Sequence, residues 1–129
     1  MPPNPSPRKI LIIEDEPAIR SVLFTLLAGQ GCDSDVAHDA HHALPMLQQN
    51  QFDAVLLDIR ATHLPPDQTV SAITRLRPSL VGRVLVITGE VSEPKTLELL
   101  ERCAVPHVSR SKVTTDLWGR LRSLLGFAR

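Results

Sequence analysis

Two hydrophobic periods alternate along this chain. Short continuous apolar runs, such as Lys9–Ile13 and Ala54–Asp58, are bounded by polar residues and turn formers. Runs of that length predict strands covered on both faces. Between them, apolar residues recur every three or four positions, which predicts helices with one buried stripe. The stretch Phe-Asp-Ala-Val-Leu-Leu-Asp-Ile-Arg, residues 52–60, carries the plainest such strand and ends it on a carboxylate, Asp58.

Residues 1–8 contain Pro2, Pro3, Pro5 and Pro7 and read as a disordered, solvated tail. Residues 9–129 read as one domain. After the first strand, Pro17 suits the first turn of a helix. Ile19, Val22, Leu23, Leu26 and Leu27 make its stripe, and Gly29 and Gly31 close it. Residues 32–37 are more polar, as an edge strand should be. Asp39 suits the cap of a helix carrying Ala43, Leu44 and Leu47. Pro45 inside it predicts a kink or a late start.

The strand ending at Asp58 leads into an irregular loop over residues 61–67. A helix with Val70, Ile73 and Leu76 inward follows, and Pro78 stops it. Residues 83–87 form the next buried strand, ending on Thr88-Gly89. Ser92 suits the cap of a helix with Leu97, Leu100 and Cys103 inward. Residues 105–109 make a short last strand. Thr114 or Thr115 caps a final helix with Leu117, Leu121 and Leu124 on one face. Five alternations of strand and helix predict an α/β fold: a doubly wound parallel sheet, helices on both faces, in three layers.

Length, composition and charge narrow the function classes. A chain of 129 residues suits one core. Its net charge of +0 offers no basic excess for phosphate neutralisation, so direct nucleic-acid contact is not expected. No apolar run reaches the roughly 18 residues of a membrane span, and no apolar signal core opens the chain. Cys32 and Cys103 lie far apart and read as small buried or half-buried thiols in a reducing compartment, so a cytoplasmic location is expected. His38, His41 and His42 cluster near a helix start without an obvious carboxylate or thiol set, and read as solvated surface.

In open parallel sheets, chemistry gathers at the carboxyl ends of the strands. There the first strand delivers Glu14 and Asp15, the third Asp58 and the fourth Thr88. Arg110, Ser111 and Lys112 follow the fifth. Three crowded carboxylates repel one another, and a hard dication such as Mg²⁺ relieves that repulsion. A metal beside a strand-end carboxylate favours phosphoryl chemistry, with Asp58 as nucleophile, Thr88 as hydrogen-bond donor and a cation to pair the phosphoryl oxygens. Each group taken alone reads more simply: an acidic run such as Glu14-Asp15-Glu16 often just complements a helix dipole.

The segments Lys-Ile-Leu-Ile-Ile-Glu-Asp-Glu-Pro (9–17), Phe-Asp-Ala-Val-Leu-Leu-Asp (52–58) and Val-Leu-Val-Ile-Thr-Gly (84–89) resemble the response-regulator receiver domain of bacterial two-component signalling. The resemblance runs from Lys9 to the C-terminus. It implies a flavodoxin-like strand order 2-1-3-4-5. It implies that Asp58 accepts a phosphoryl group from a histidine kinase or phosphotransfer protein, with Mg²⁺ held by Glu14, Asp15, Asp58 and the backbone carbonyl of Arg60. It implies a protein-interaction face that switches on phosphorylation, toward an output partner or a second copy docked on the strand four and five face. Such a domain is no enzyme beyond assisting its own phosphotransfer and dephosphorylation.

The chain departs from the family at three places. Gapless register puts Arg110 at the usual lysine and Ser111 at the usual proline, with Lys112 as the alternative cation. Arg is longer, planar and always charged, so the exchange is not neutral. His107 occupies the position of the aromatic switch residue, where it is either a half-buried strand histidine or a source of pH sensitivity. Thr62-His63 replaces the usual Pro-Gly after the acceptor. These departures motivate the alternative reading of a degenerate receiver that binds partners without phosphorylation. A phosphatase reading needs an acid two residues beyond Asp58, where Arg60 stands. A flavin site needs a phosphate cradle where Glu14-Asp15-Glu16 would repel one.

Overall fold

A computed structural model describes residues 7–89 and 94–126. Five parallel strands, β1 (Lys9–Ile13), β2 (Asp33–Ala37), β3 (Ala54–Asp58), β4 (Val84–Thr88) and β5 (His107–Ser109), lie in the order β2-β1-β3-β4-β5. Five α-helices alternate with them: α1 (Pro17–Gly29), α2 (Ala40–Gln49), α3 (Pro66–Leu76), α4 (Pro94–Arg102) and α5 (Val113–Leu125). This is the expected α/β architecture with the flavodoxin-like strand order.

The period of two along each strand divides the core. Ile10, Ile12, Leu56, Leu85 and Ile87 point to the layer that holds Leu23 and Leu27 of α1 and Leu117, Leu121 and Leu125 of α5. Leu11, Ile13, Val55, Leu57 and Val86 point to the opposite layer, with Ala43 and Leu47 of α2, Ile73 of α3 and Leu100 of α4. The apolar strands are therefore buried on both faces, and β1, β3 and β4 read as unbroken apolar runs for that reason. The polar run Asp33-Ser34-Asp35 lies on the edge strand β2, paired only to β1. At Ile12, buried in the centre, Ile12→Val should cost about 1 kcal/mol. Phe24→Ala, on the exposed side of α1, should fall within about 0.5 kcal/mol of zero. Urea denaturation measures both.

Several local expectations need correction. Val22 (40% exposed) and Leu44 lie outside the stripes assigned to them, because only the faces around Leu23/Leu27 and Ala43/Leu47 meet the sheet. α2 starts at Ala40 and runs through Pro45, so there is no late start. Asp39 caps it as expected, accepting the His42 N–H at 2.7 Å. The loop after β3 is shorter than anticipated: a 3₁₀ turn spans Ile59–Ala61, and α3 begins at Pro66.

Neither Thr114 nor Thr115 caps α5. A 3₁₀ turn, Arg110–Lys112, leads into it with Lys112 at the cap position. Cys103 is exposed just beyond α4, whereas Cys32 is buried. Arg8 belongs to the fold: its carbonyl accepts the Asp33 N–H at 2.8 Å and its guanidinium pairs with Asp53. Ser92 and residues 1–6 of the tail lie outside the described residues.

Candidate functional site

The parallel sheet brings the groups that follow β1, β3 and β5 to one edge. Asp58 closes β3 and is 0% exposed. One of its oxygens, Oδ1, accepts the Arg60 N–H at 2.7 Å, which caps the 3₁₀ turn after the strand. The other, Oδ2, accepts from the Arg110 guanidinium at 2.5 Å, and Arg110 is itself only 14% exposed. Of the two candidate cations, Arg110 is the one in contact with Asp58. Lys112 is exposed in the turn beyond, and the ion pairs of Asp58 among the described residues are with Arg110 and, at 3.8 Å, the Arg60 Nε.

Glu14, first after β1, is also 0% exposed and sits against Asp58. Its Oε1 accepts the Glu16 N–H at 3.1 Å, and Oε2 is buried with no partner when both carboxyls are ionised. Burial above all, then the hydrogen bond and charge of Asp58, push the Glu14 carboxyl up to about 8. Burial raises Asp58 as well, but hydrogen bonds from Glu14, the Arg60 N–H and Arg110 outweigh it and hold Asp58 below the usual carboxylate range. The pair thus places the proton on Glu14 and the charge on Asp58.

This has a consequence for acid–base stability in Mg²⁺-free buffer. A raised folded-state pKa contributes stability that is complete below the ordinary carboxylate range and is lost as pH rises through about 8. The urea midpoint should therefore fall as pH climbs from mildly acidic toward about 8, and Glu14→Gln should flatten that slope. An unchanged slope in the variant would assign the effect elsewhere.

Asp15, the other acidic residue after β1, is exposed at the rim. The buried, unpartnered Glu14 Oε2 beside an ionised Asp58, with Asp15 at the mouth, is a set of hard oxygens that a dication fits. Thr88 does not join this cluster. It is buried, and its hydroxyl donates to the Val108 carbonyl at 3.5 Å, turned toward β5. His107 is half-buried on β5, with Nδ1 3.2 Å from the Val105 carbonyl.

One site contact was not anticipated from sequence. The Arg60 side chain pairs with Glu16 at 2.8 Å, strapping the turn after β3 to the start of α1. The signal was available: both residues sit three positions beyond the last apolar residue of their strands, Ile13 and Leu57, at the same sheet edge.

Comparison with known proteins agrees with this fold. Residues 10–121 match the response regulator receiver domain. Transcriptional regulatory protein TcrA of Mycobacterium tuberculosis is 29% identical over 117 residues, covering 90% of this chain and 45% of the relative. Transcriptional regulatory protein CpxR of Escherichia coli is 29% identical over 117 residues, covering 91% and 49%. The chain thus spans a little under half the length of these relatives. Among solved structures, a CheY-like receiver domain protein from Methanospirillum hungatei superposes with a TM-score of 0.81 at 20% identity, covering 94% of this chain and 95% of the other. Response regulator TrrA from Thermotoga maritima, in complex with Mg²⁺-BeF, gives 0.76 at 23% identity, covering 91% and 98%.

Proposed function

The chain belongs to the response regulator receiver domain family, and from that premise we propose that Asp58 is a phosphoryl acceptor fed by a histidine kinase or a phosphotransfer protein. As a receiver domain of two-component systems it is a signalling domain, not a classical enzyme. One observation carries the reading: a fully buried, ionised carboxylate ends the central strand with a guanidinium on one oxygen.

The donor in this reading is a phosphohistidine. A carboxylate oxygen of Asp58 attacks phosphorus, and a P–O bond to Asp58 forms as the P–N bond to the imidazole breaks. The imidazole keeps that electron pair and takes up a proton; the product is an acyl phosphate. Glu14, Asp15, Asp58 and the Arg60 backbone carbonyl would hold Mg²⁺. The metal, when bound, neutralises charge on the group in transfer. Glu14 gives up its proton to join such a set. Arg110 shifts its donors from Asp58 to the phosphoryl oxygens, and its buried, unpartnered Nε adds a further donor.

The new charge also competes for the Thr88 hydroxyl, drawing it from the Val108 carbonyl. Thr88 pairs in register with Ser109, and Val86 with His107, so its movement repacks the β4–β5 surface. An output partner or a second copy of the chain would dock there. The Arg110–Asp58 ion pair also favours a second reading, a binding module locked in one state. Incubation with a small-molecule phosphodonor and Mg²⁺, followed by intact mass, separates the two. One phosphoryl adduct per chain supports the acceptor. No adduct on a folded protein supports the locked module.

A further inference from the structure

We propose that His38, Asp39 and His42 form a second metal site, for a borderline transition-metal dication such as Zn²⁺, at the start of α2. One ligand atom from each of the three lies within 4.8 Å of the others. The contacts are close already: His42 Nδ1 stands 2.7 Å from Asp39 Oδ1, and His38 Nε2 stands 3.6 Å from Asp39 Oδ2. Zn–N and Zn–O bonds of about 2.0–2.2 Å at tetrahedral angles separate ligand atoms by about 3.3 Å. The set therefore needs only rotamer-scale movement to close on an ion. The sequence reading of these histidines as solvated holds for His38 and His42, which are exposed. The set that reading found wanting is completed by the Asp39 carboxylate, whose oxygens lie within 3.6 Å of a ring nitrogen of each.

Three features favour an ion over a bare surface cluster. The His38 and His42 rings are 3.9 Å apart, centroid to centroid, so two imidazoles converge beside one carboxylate. Asp39 supplies the carboxylate such a site needs, with an oxygen 2.7 Å from one ring nitrogen and another 3.6 Å from the second. The capping bond uses Oδ1, leaving Oδ2 for coordination. That carboxylate also offsets the helix dipole, whose positive end would otherwise oppose a cation. His41 adds a neighbouring imidazole, its ring 5.7 Å from that of His42. Two imidazoles with one carboxylate and an open position select Zn²⁺, Ni²⁺ or Cu²⁺ over Mg²⁺. The site is thus chemically distinct from the all-oxygen set around Asp58.

The test is a Zn²⁺ titration of the untagged full chain by calorimetry, in saturating Mg²⁺. Asp58→Asn reports zinc taken by the acidic cluster, and Cys103→Ser reports zinc taken by the exposed thiol. The expected result is one equivalent of Zn²⁺ that persists in both of those variants. It should weaken at least tenfold in His38→Ala and in His42→Ala, each of which retains the parent circular dichroism spectrum. A Co²⁺ absorption band lost in the same two variants gives a second readout. The proposal is overturned if the His38→Ala/His42→Ala double variant binds as many equivalents with the parent affinity. It is equally overturned if all zinc binding vanishes in Asp58→Asn or Cys103→Ser, or if the parent binds none.

Discussion

Asp58→Asn leaves the protein folded and unable to take up a phosphoryl group from either a phosphohistidine donor or a small-molecule one. The substitution keeps shape: an amide oxygen can still accept the Arg60 N–H that caps the turn after β3. What it removes is the nucleophile. A neutral amide oxygen carries no charge to offer phosphorus, and its adduct would leave faster than it formed. It also removes the anion that positions Arg110. The expected adduct is zero at every time point, by intact mass, with a parent-like circular dichroism spectrum. An adduct at the parent level would move the acceptor to Glu14 or Asp15 and sink the assignment.

Arg110→Ala should slow acceptance about a hundredfold, the scale on which removing one preorganised donor to a developing charge is felt. Two effects oppose each other. Arg110 pairs with Asp58 before reaction, which stabilises the nucleophile and costs some rate. It then serves a phosphoryl group carrying more charge on more oxygens than the carboxylate does, so the transition state gains more than the ground state. The net sign is a loss. Arg110→Lys should recover most of the rate, since a point charge in that place meets the main requirement while giving up the planar fork. Lys112→Ala should change the rate by no more than about twofold, because Lys112 is an exposed, solvent-screened charge. Phosphorylation time courses on the three variants measure this directly. If Lys112→Ala carried the large defect and Arg110→Ala the small one, the resting ion pair would be an incidental contact.

How far the site could be read before the fold was known differs from residue to residue. Asp58 was legible because a run of apolar residues long enough for one buried strand stops on it. Glu14 and Asp15 were legible for the same reason at the end of β1. Between those two, sequence offered no preference. Only the packing shows that Glu14 is enclosed against Asp58 while Asp15 faces water. Between Arg110 and Lys112, register with the family favoured Arg110, and the 3₁₀ turn after β5 places that residue against Asp58 while Lys112 stays exposed.

Thr88 shows the reverse case. Its place at the end of β4 was predicted and found, yet its hydroxyl serves β5. A rotamer is set by competing acceptors, which sequence does not list. The grouping of His38, Asp39 and His42 was not legible for a related reason. Asp39 was assigned to a backbone cap, and one carboxylate oxygen does fill that role. The second oxygen and the two rings around it became a set only when the turn brought them together.

By itself, the sequence determined the alternation of strand and helix, the parallel sheet and the acidic character of its carboxyl edge. The alternation and the acidic edge follow from local periods and from residues adjacent to strand ends, and the parallel pairing follows from the helical crossover between successive strands. The tertiary structure alone decided which carboxylate is buried, which cation reaches Asp58, which way Thr88 turns and which apolar residues on each helix stay in water. Each of these depends on contacts between residues far apart in the chain, 52 positions in the case of Arg110 and Asp58. Ion pairing across such separations is a property of those contacts, and no local pattern encodes it.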